Sequence, residues 1–164
     1  MQLVVADAGP LIALAVADVL PLVLKQFVLR VPQAVLDECL SDQYAPGAGL
    51  ILKIASRGGF TTISDDSIYE FDSAYMMGLG SGEIAVLSYA LQHRLVALVD
   101  ERRARRVAQQ LGVSVVGSGA VLLVLKKSGA VSSVRPALAA WRTHGYFLSE
   151  SLQQQLLTAA GELT

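Results

Sequence analysis

Two aspartates close two apolar runs in this chain. Asp7 follows Leu3-Val4-Val5-Ala6 and precedes Ala8-Gly9-Pro10, while Asp100 follows Leu95-Val96-Ala97-Leu98-Val99. If both runs are core strands and neighbours in one sheet, the two carboxylates meet where the strands emerge. A strand-end acid is also an ordinary helix cap, and for Asp100, which opens the next helix, that simpler role competes. Glu38 lies inside a helix that starts at Pro32, with Ala34 and Val35 at spacings that share its face, and adjacent Asp37 competes for the inward position. Glu83, in Gly80-Ser81-Gly82-Glu83, falls in a first helical turn, where the helix dipole favours an acid whatever its task. The glycines there allow a backbone to approach a ligand closely.

Several carboxylates converging on one cleft repel each other unless a cation offsets the charge. Oxygen donors without imidazole or thiolate favour Mg²⁺ or Mn²⁺. Ions of that kind activate water and stabilise the leaving oxygen in phosphodiester hydrolysis. No Cys/His cluster with zinc-ligand spacing exists, since the only histidines are His93 and His144 and the only cysteine is Cys39, which also cannot form an internal disulfide. A reducing cytoplasm is the expected compartment.

The elements that must position these acids follow from the pattern of apolar runs. Strands are expected at Gln2–Ala6, Phe27–Arg30, Leu95–Val99 and Val113–Val116, with Phe60–Ile63 undecided. Helices are expected at Pro32–Leu40, Ala48–Ser56, Gly82–His93, Glu101–Leu111, Ala120–Ser128, Val134–His144 and Ser149–Ala160. Repeated strand-then-helix units build an α/β protein, a three-layer α/β/α sandwich with a mainly parallel central sheet. At 164 residues, 53% of them hydrophobic and 16% charged, the chain is expected to fold as one domain over residues 1–164, with helices from about residue 134 packed on it. The apolar N-terminus is interrupted by Asp7, Pro10, Asp18 and Pro21, so it is expected to be a buried strand followed by packed helices and not a membrane span.

A net charge of −1 gives no global attraction to nucleic acid, so any such contact must be local. The helix after Asp100 carries Arg102, Arg103, Arg105 and Arg106, and Lys126 and Lys127 end a later helix. They are candidates for neutralising phosphates, and a plainly solvated helix face is the competing reading.

The ordered motifs D-x-G-P-L-I-x-L, V-P-x-x-V-x-x-E, G-S-G-E-x-A-V-L, L-V-D-E-R-x-A-R-x-V-A and G-S-G-A-V-L-x-x-L-K-K-x-G resemble the PIN-domain family, within it a prokaryotic branch related to VapC-like toxins. V-x-P-A-L-x-x-W and G-Y-F-L-S extend the resemblance to the end of the chain. The resemblance implies a Mg²⁺- or Mn²⁺-dependent ribonuclease acting on RNA, with an acidic centre of Asp7, Glu38, Glu83 and Asp100 and with Glu101 at a further acidic position. For a toxin it also implies an antitoxin protein that occludes the acidic cleft. The family often places a hydroxyl just after the first aspartate; Ala8 and Gly9 supply none, and Ser118 is a candidate to supply one from another strand end.

Two other functional readings stand beside this one: a non-catalytic interaction module on the same fold, and a phosphatase using Asp7 as nucleophile. Asp7-Ala8-Gly9 lacks the second aspartate that such phosphatases commonly carry. Apolar surplus in Leu11–Leu24 and Ile68–Met77 suggests a two-fold homodimer, with a deeper monomeric core as the alternative. Gly117-x-Gly119 reads as a tight turn, Tyr75-Met76-Met77 as core or interface, and His93, Trp141 and His144 as packing or surface residues.

Overall fold

The structure, a computed structural model, describes residues 1–69, 78–146 and 148–163. The Tyr75-Met76-Met77 cluster therefore lies outside the described residues. β1 (Gln2–Ala6), β2 (Phe27–Pro32), β3 (Thr61–Ile63), β4 (Val96–Leu98) and β5 (Val115–Val116) form one sheet in the order β3-β2-β1-β4-β5. All four pairings are parallel. The helices are α1 (Ala8–Val16), α2 (Leu20–Val23), α3 (Gln33–Leu40), α4 (Ala48–Ser56) and α5 (Ser81–His93), then α6 (Arg102–Leu111), α7 (Ser118–Lys127), α8 (Arg135–Thr143) and α9 (Glu150–Ala159). This is a three-layer α/β/α fold with a parallel central sheet, as the strand-then-helix pattern leads one to expect.

The middle strand explains the layering. Val4, Val5 and Ala6 are consecutive and all buried, which requires cover on both faces of the sheet. The undecided segment Phe60–Ile63 supplies the edge strand β3, which pairs with Arg30–Pro32. Pro32 corrects the expected start of the third helix: it is extended, with φ −58° and ψ 147°, and belongs to β2. It sits beyond Arg30, the last β2 residue paired with β1, so its missing N–H removes no bond to the central strand.

The apolar surplus of the first two helices goes inward. Leu11, Leu14, Leu20 and Val23 are fully buried in the core, so the deeper-core reading holds for that part of the expected dimer face. Of the other part, Ile68–Met77, Ile68 is half-buried against the core and residues 70–77 are not described. Among the described residues no helix is long and apolar enough to cross a membrane.

The C-terminal helices are fastened at two points. Trp141 of α8 is 1% exposed, and its Nε1 donates to the Ala13 carbonyl of α1 at 2.7 Å. Glu162 accepts from the Val134 N–H at 2.9 Å and from the Ser133 hydroxyl, and pairs with Lys126 at 3.5 Å, which ties the end of α9 to the start of α8. In between, α9 lays Leu156 on Gly119, where an added Cβ would come within 3.0 Å of it. Trp141→Ala should cost about 3–5 kcal/mol, the usual range for emptying a large aromatic site, measured as the loss in urea-unfolding free energy.

Candidate metal centre

β1 and β4 are neighbours, with Ala6 opposite Leu98, and the Asp7 N–H donates to the Leu98 carbonyl at 3.0 Å. From β1 the chain builds the sheet outward through β2 and β3, then returns to the other side of β1 to add β4 and β5. That reversal leaves a crevice at the carboxyl ends of β1 and β4. Asp7 and Asp100 flank it.

Asp7 is 5% exposed, and its Oδ1 is buried with no hydrogen-bond partner among the described residues. Neither Ala8 nor Gly9 has a side-chain donor to offer it. A buried, unpaired carboxylate oxygen is costly in its charged form. Burial accordingly pushes the Asp7 carboxyl up to about 7; the Ala8 N–H opposes this, and the charges of Glu83, Glu38 and Asp100 add to it.

Gly82 explains how two carboxylates come together here. A Cβ at this position would lie 3.2 Å from Glu38 Oε2, 3.3 Å from Val35 Cγ2 and 3.8 Å from Asp7 Oδ1. Glycine thus leaves room for the acids of α3 and β1 on one bare backbone face. The adjacent acids of α3 are both exposed, but Glu38 is the one whose Oε2 stands at Gly82 with Asp7, while Asp37 accepts from Gln33 Nε2 at 2.8 Å.

Asp7, Glu38, Glu83 and Glu101 line one cavity of about 360 Å³. Glu83 combines its two expected roles, since its Oε2 also accepts the Gly80 N–H at 3.1 Å as α5 begins. The helix-capping role that competes for Asp100 belongs instead to Glu101, whose Oε2 accepts the Ala104 N–H at 2.8 Å. Burial works against the charge of Glu101. The N–H groups of Arg103 and Ala104 and the charges of Arg103 and Arg106 outweigh it, holding this acid below the usual carboxylate range.

Asp100 is held from the other side. Its Oδ1 accepts the Ser118 N–H at 2.8 Å, and its Oδ2 accepts the Ser118 hydroxyl at 2.7 Å and the Tyr146 hydroxyl. Ser118 therefore gives its hydroxyl to Asp100, and the Asp7 oxygen stays unpartnered. Tyr146 escapes a reading of the sequence because it lies between α8 and α9, far along the chain from the acids, and its only signal is its place in the G-Y-F-L-S motif. Burial pushes its phenol upward, and the adjacent Asp100 charge adds to the effect.

The donor set suits a hard divalent cation: carboxylate oxygens only, one of them buried and without a partner, around a glycine face. Among the described residues no three acids are already closed into a group that could hold an ion. Glu83, Glu101 and Asp100 each have oxygens engaged by the protein's own donors, so enclosing a cation requires side-chain adjustment.

The family model DUF3368, described as a PIN domain, matches residues 3–162. The chain belongs to the PIN-domain family. PIN domains are in general nucleases, and this chain carries that nuclease-type fold. No curated protein matches it.

Beside the acids, the PIN fold opens a second cavity of about 610 Å³, lined on one side by Asp100, Arg102 and Arg105 and on the other by Leu152 and Leu156 of α9. It continues along α6 into a further hollow of about 600 Å³ lined by Arg102, Arg105 and Arg106. Two of the cations expected near phosphate lie elsewhere. Arg103 donates to the Gly78 carbonyl at 3.2 Å, and Lys126, eight residues along α7 from Ser118, is paired with Glu162. Arg105, whose Nη1 donates to the Val99 carbonyl at 3.3 Å, lines the groove with Arg102.

The raised Asp7 carboxyl sets a pH dependence. Because the folded state holds this proton more tightly than the unfolded chain, its contribution to stability is complete below the unfolded value of 3.8 and is lost as pH rises through about 7. Metal-free protein should therefore become less stable between about pH 4 and pH 8, by up to about 4 kcal/mol, and Asp7→Asn should flatten that slope in urea unfolding followed across the range.

Proposed function

We propose that this PIN domain is a divalent-metal-dependent endoribonuclease that hydrolyses RNA phosphodiesters, with Asp7, Glu38, Glu83 and Asp100 as the residues that hold Mg²⁺ or Mn²⁺. The observation that carries the reading is the buried, unpartnered Asp7 Oδ1 beside Glu38 on the bare face of Gly82. A bound divalent ion supplies Lewis-acid charge to a phosphate oxygen and acidifies water.

The chain's own residues carry the rest of the work. Asp7 provides an oxygen from the buried floor of the crevice, and Glu38 provides one from its exposed side. Glu83 stands at the start of α5, and Glu101 faces the same cavity while fixing the first turn of α6. Ser118 and Tyr146 orient Asp100 where the acidic cavity meets the groove. Arg102, Arg105 and Arg106 along that groove offer positive charge to backbone phosphates on either side of the cleaved bond. This local patch supports RNA as substrate in a chain whose net charge is −1.

A protein partner belongs to the proposal. The acidic cavity and the arginine-lined groove share Gly9 and Glu101, so one partner laid across them, as an antitoxin would lie, denies RNA access to both. An interaction module without turnover draws its support from one observation, the absence of a closed acidic triad among the described residues.

Single-stranded RNA should be cleaved with Mn²⁺ or Mg²⁺ present, and both chelation and Asp7→Asn should abolish cleavage; turnover that survives both contradicts the proposal. In the Asp7→Asn background, which leaves the RNA intact, Arg102→Ala and Arg106→Ala should each weaken RNA binding and lower the slope of log affinity against log salt by about 1. Lys126→Ala should leave that slope unchanged, as measured by fluorescence anisotropy.

A further inference from the structure

Asp100 is the most heavily tethered acid of the centre. Of the roughly four lone-pair positions a carboxylate offers, three are taken by the Ser118 N–H, the Ser118 hydroxyl and the Tyr146 hydroxyl. The free position is on Oδ1, the oxygen that would lie 2.9 Å from a Cβ at Gly117. Both side-chain hydroxyls are on Oδ2. Together they fix which oxygen Asp100 has left to offer.

The Tyr146 hydroxyl is itself held from behind. Its ring packs on Trp141 at a centroid distance of 5.4 Å, and its N–H donates to the Trp141 carbonyl at 2.8 Å. Trp141 is in turn bonded through Nε1 to Ala13 of α1, the helix that begins immediately after Asp7. A continuous packed path therefore runs from the first acidic strand end, through α1 and Trp141, to the hydroxyl that clamps the second.

We propose that Tyr146 is a positioning residue for the metal centre: it turns Asp100 so that Oδ1 faces the ion, and it makes occupancy of the centre felt at the C-terminal helices through Trp141. The inference rests on the metal-dependent reading above. It assigns the segment between α8 and α9 a part in assembling the centre, beyond packing on the sheet.

Tyr146→Phe keeps the ring on Trp141 and removes only the hydroxyl, and Trp141 is the sole tryptophan of the chain, so its fluorescence reports the contact directly. The test compares wild type, Tyr146→Phe, Asp100→Asn and the double variant by Mn²⁺ calorimetry and by tryptophan emission during Mn²⁺ titration, with circular dichroism to establish folding. Loss of a hydrogen bond that orients a metal ligand typically weakens metal affinity about 10–100-fold, and that is the loss expected for Tyr146→Phe. Wild-type emission should change on Mn²⁺ binding and Tyr146→Phe emission should not. In the Asp100→Asn background the tyrosine change should add nothing, which a purely structural role does not predict. Wild type that binds Mn²⁺ alongside Tyr146→Phe of equal or higher affinity overturns the inference alone. Wild type that binds no Mn²⁺ overturns the metal reading, and the inference with it.

Discussion

The arrangement turns on keeping a carboxylate inside a protein beside other carboxylates. Asp7 is carried to the interior by the central strand, its Oδ1 meets no donor, and Glu38 faces the same glycine. Such a placement opposes folding, because charge is disfavoured both by burial and by its neighbours. The rest of the fold makes it tolerable: a strand buried on both faces, helices anchored in a deep core, and a neighbouring strand that receives the Asp7 N–H. A chain that accepts this cost at the carboxyl end of its middle strand keeps a site where a cation, or a proton, finds its most favourable partner.

The centre has two halves with different character. Asp7 is buried and Glu38 exposed on either side of Gly82, and among the described residues neither carboxylate is tied down by a donor other than the Ala8 N–H on Asp7. Asp100, by contrast, is gripped by Ser118 and Tyr146, and Glu101 is committed to the start of α6. A loose half and a rigid half suit a site that must close on a ligand while keeping one fixed reference point. The rigid half borders the arginine-lined groove, so whatever binds along α6 is presented to the acid whose orientation is best defined.

Much of this is legible in the sequence, for physical reasons that can be named. Asp7 and Asp100 stand out because an acid directly after an unbroken apolar run marks a strand emerging from a core, and the sheet order then makes them neighbours. Glu38 against Asp37 is undecided from the sequence, since adjacent helix positions differ by only about 100° and the outcome depends on Gly82 in a distant helix. The capping roles of Glu101 and Asp100 are interchangeable on paper, and the turn between β4 and α6 assigns the cap to Glu101. Tyr146 and the displaced cations Arg103 and Lys126 are hidden for a single reason: their partners lie 46, 25 and 36 residues away in the chain, where no local periodicity reaches.

The central claim is that Asp7 is buried among acids in order to hold a divalent cation. Crystals grown with excess Mn²⁺, with anomalous scattering recorded at the manganese edge, test it most directly. The account predicts an anomalous peak about 2.1–2.2 Å from Asp7 Oδ1, with further ligand oxygens drawn from Glu38, Glu83 and Asp100. Crystals saturated with Mn²⁺ that show no peak at Asp7 would contradict it.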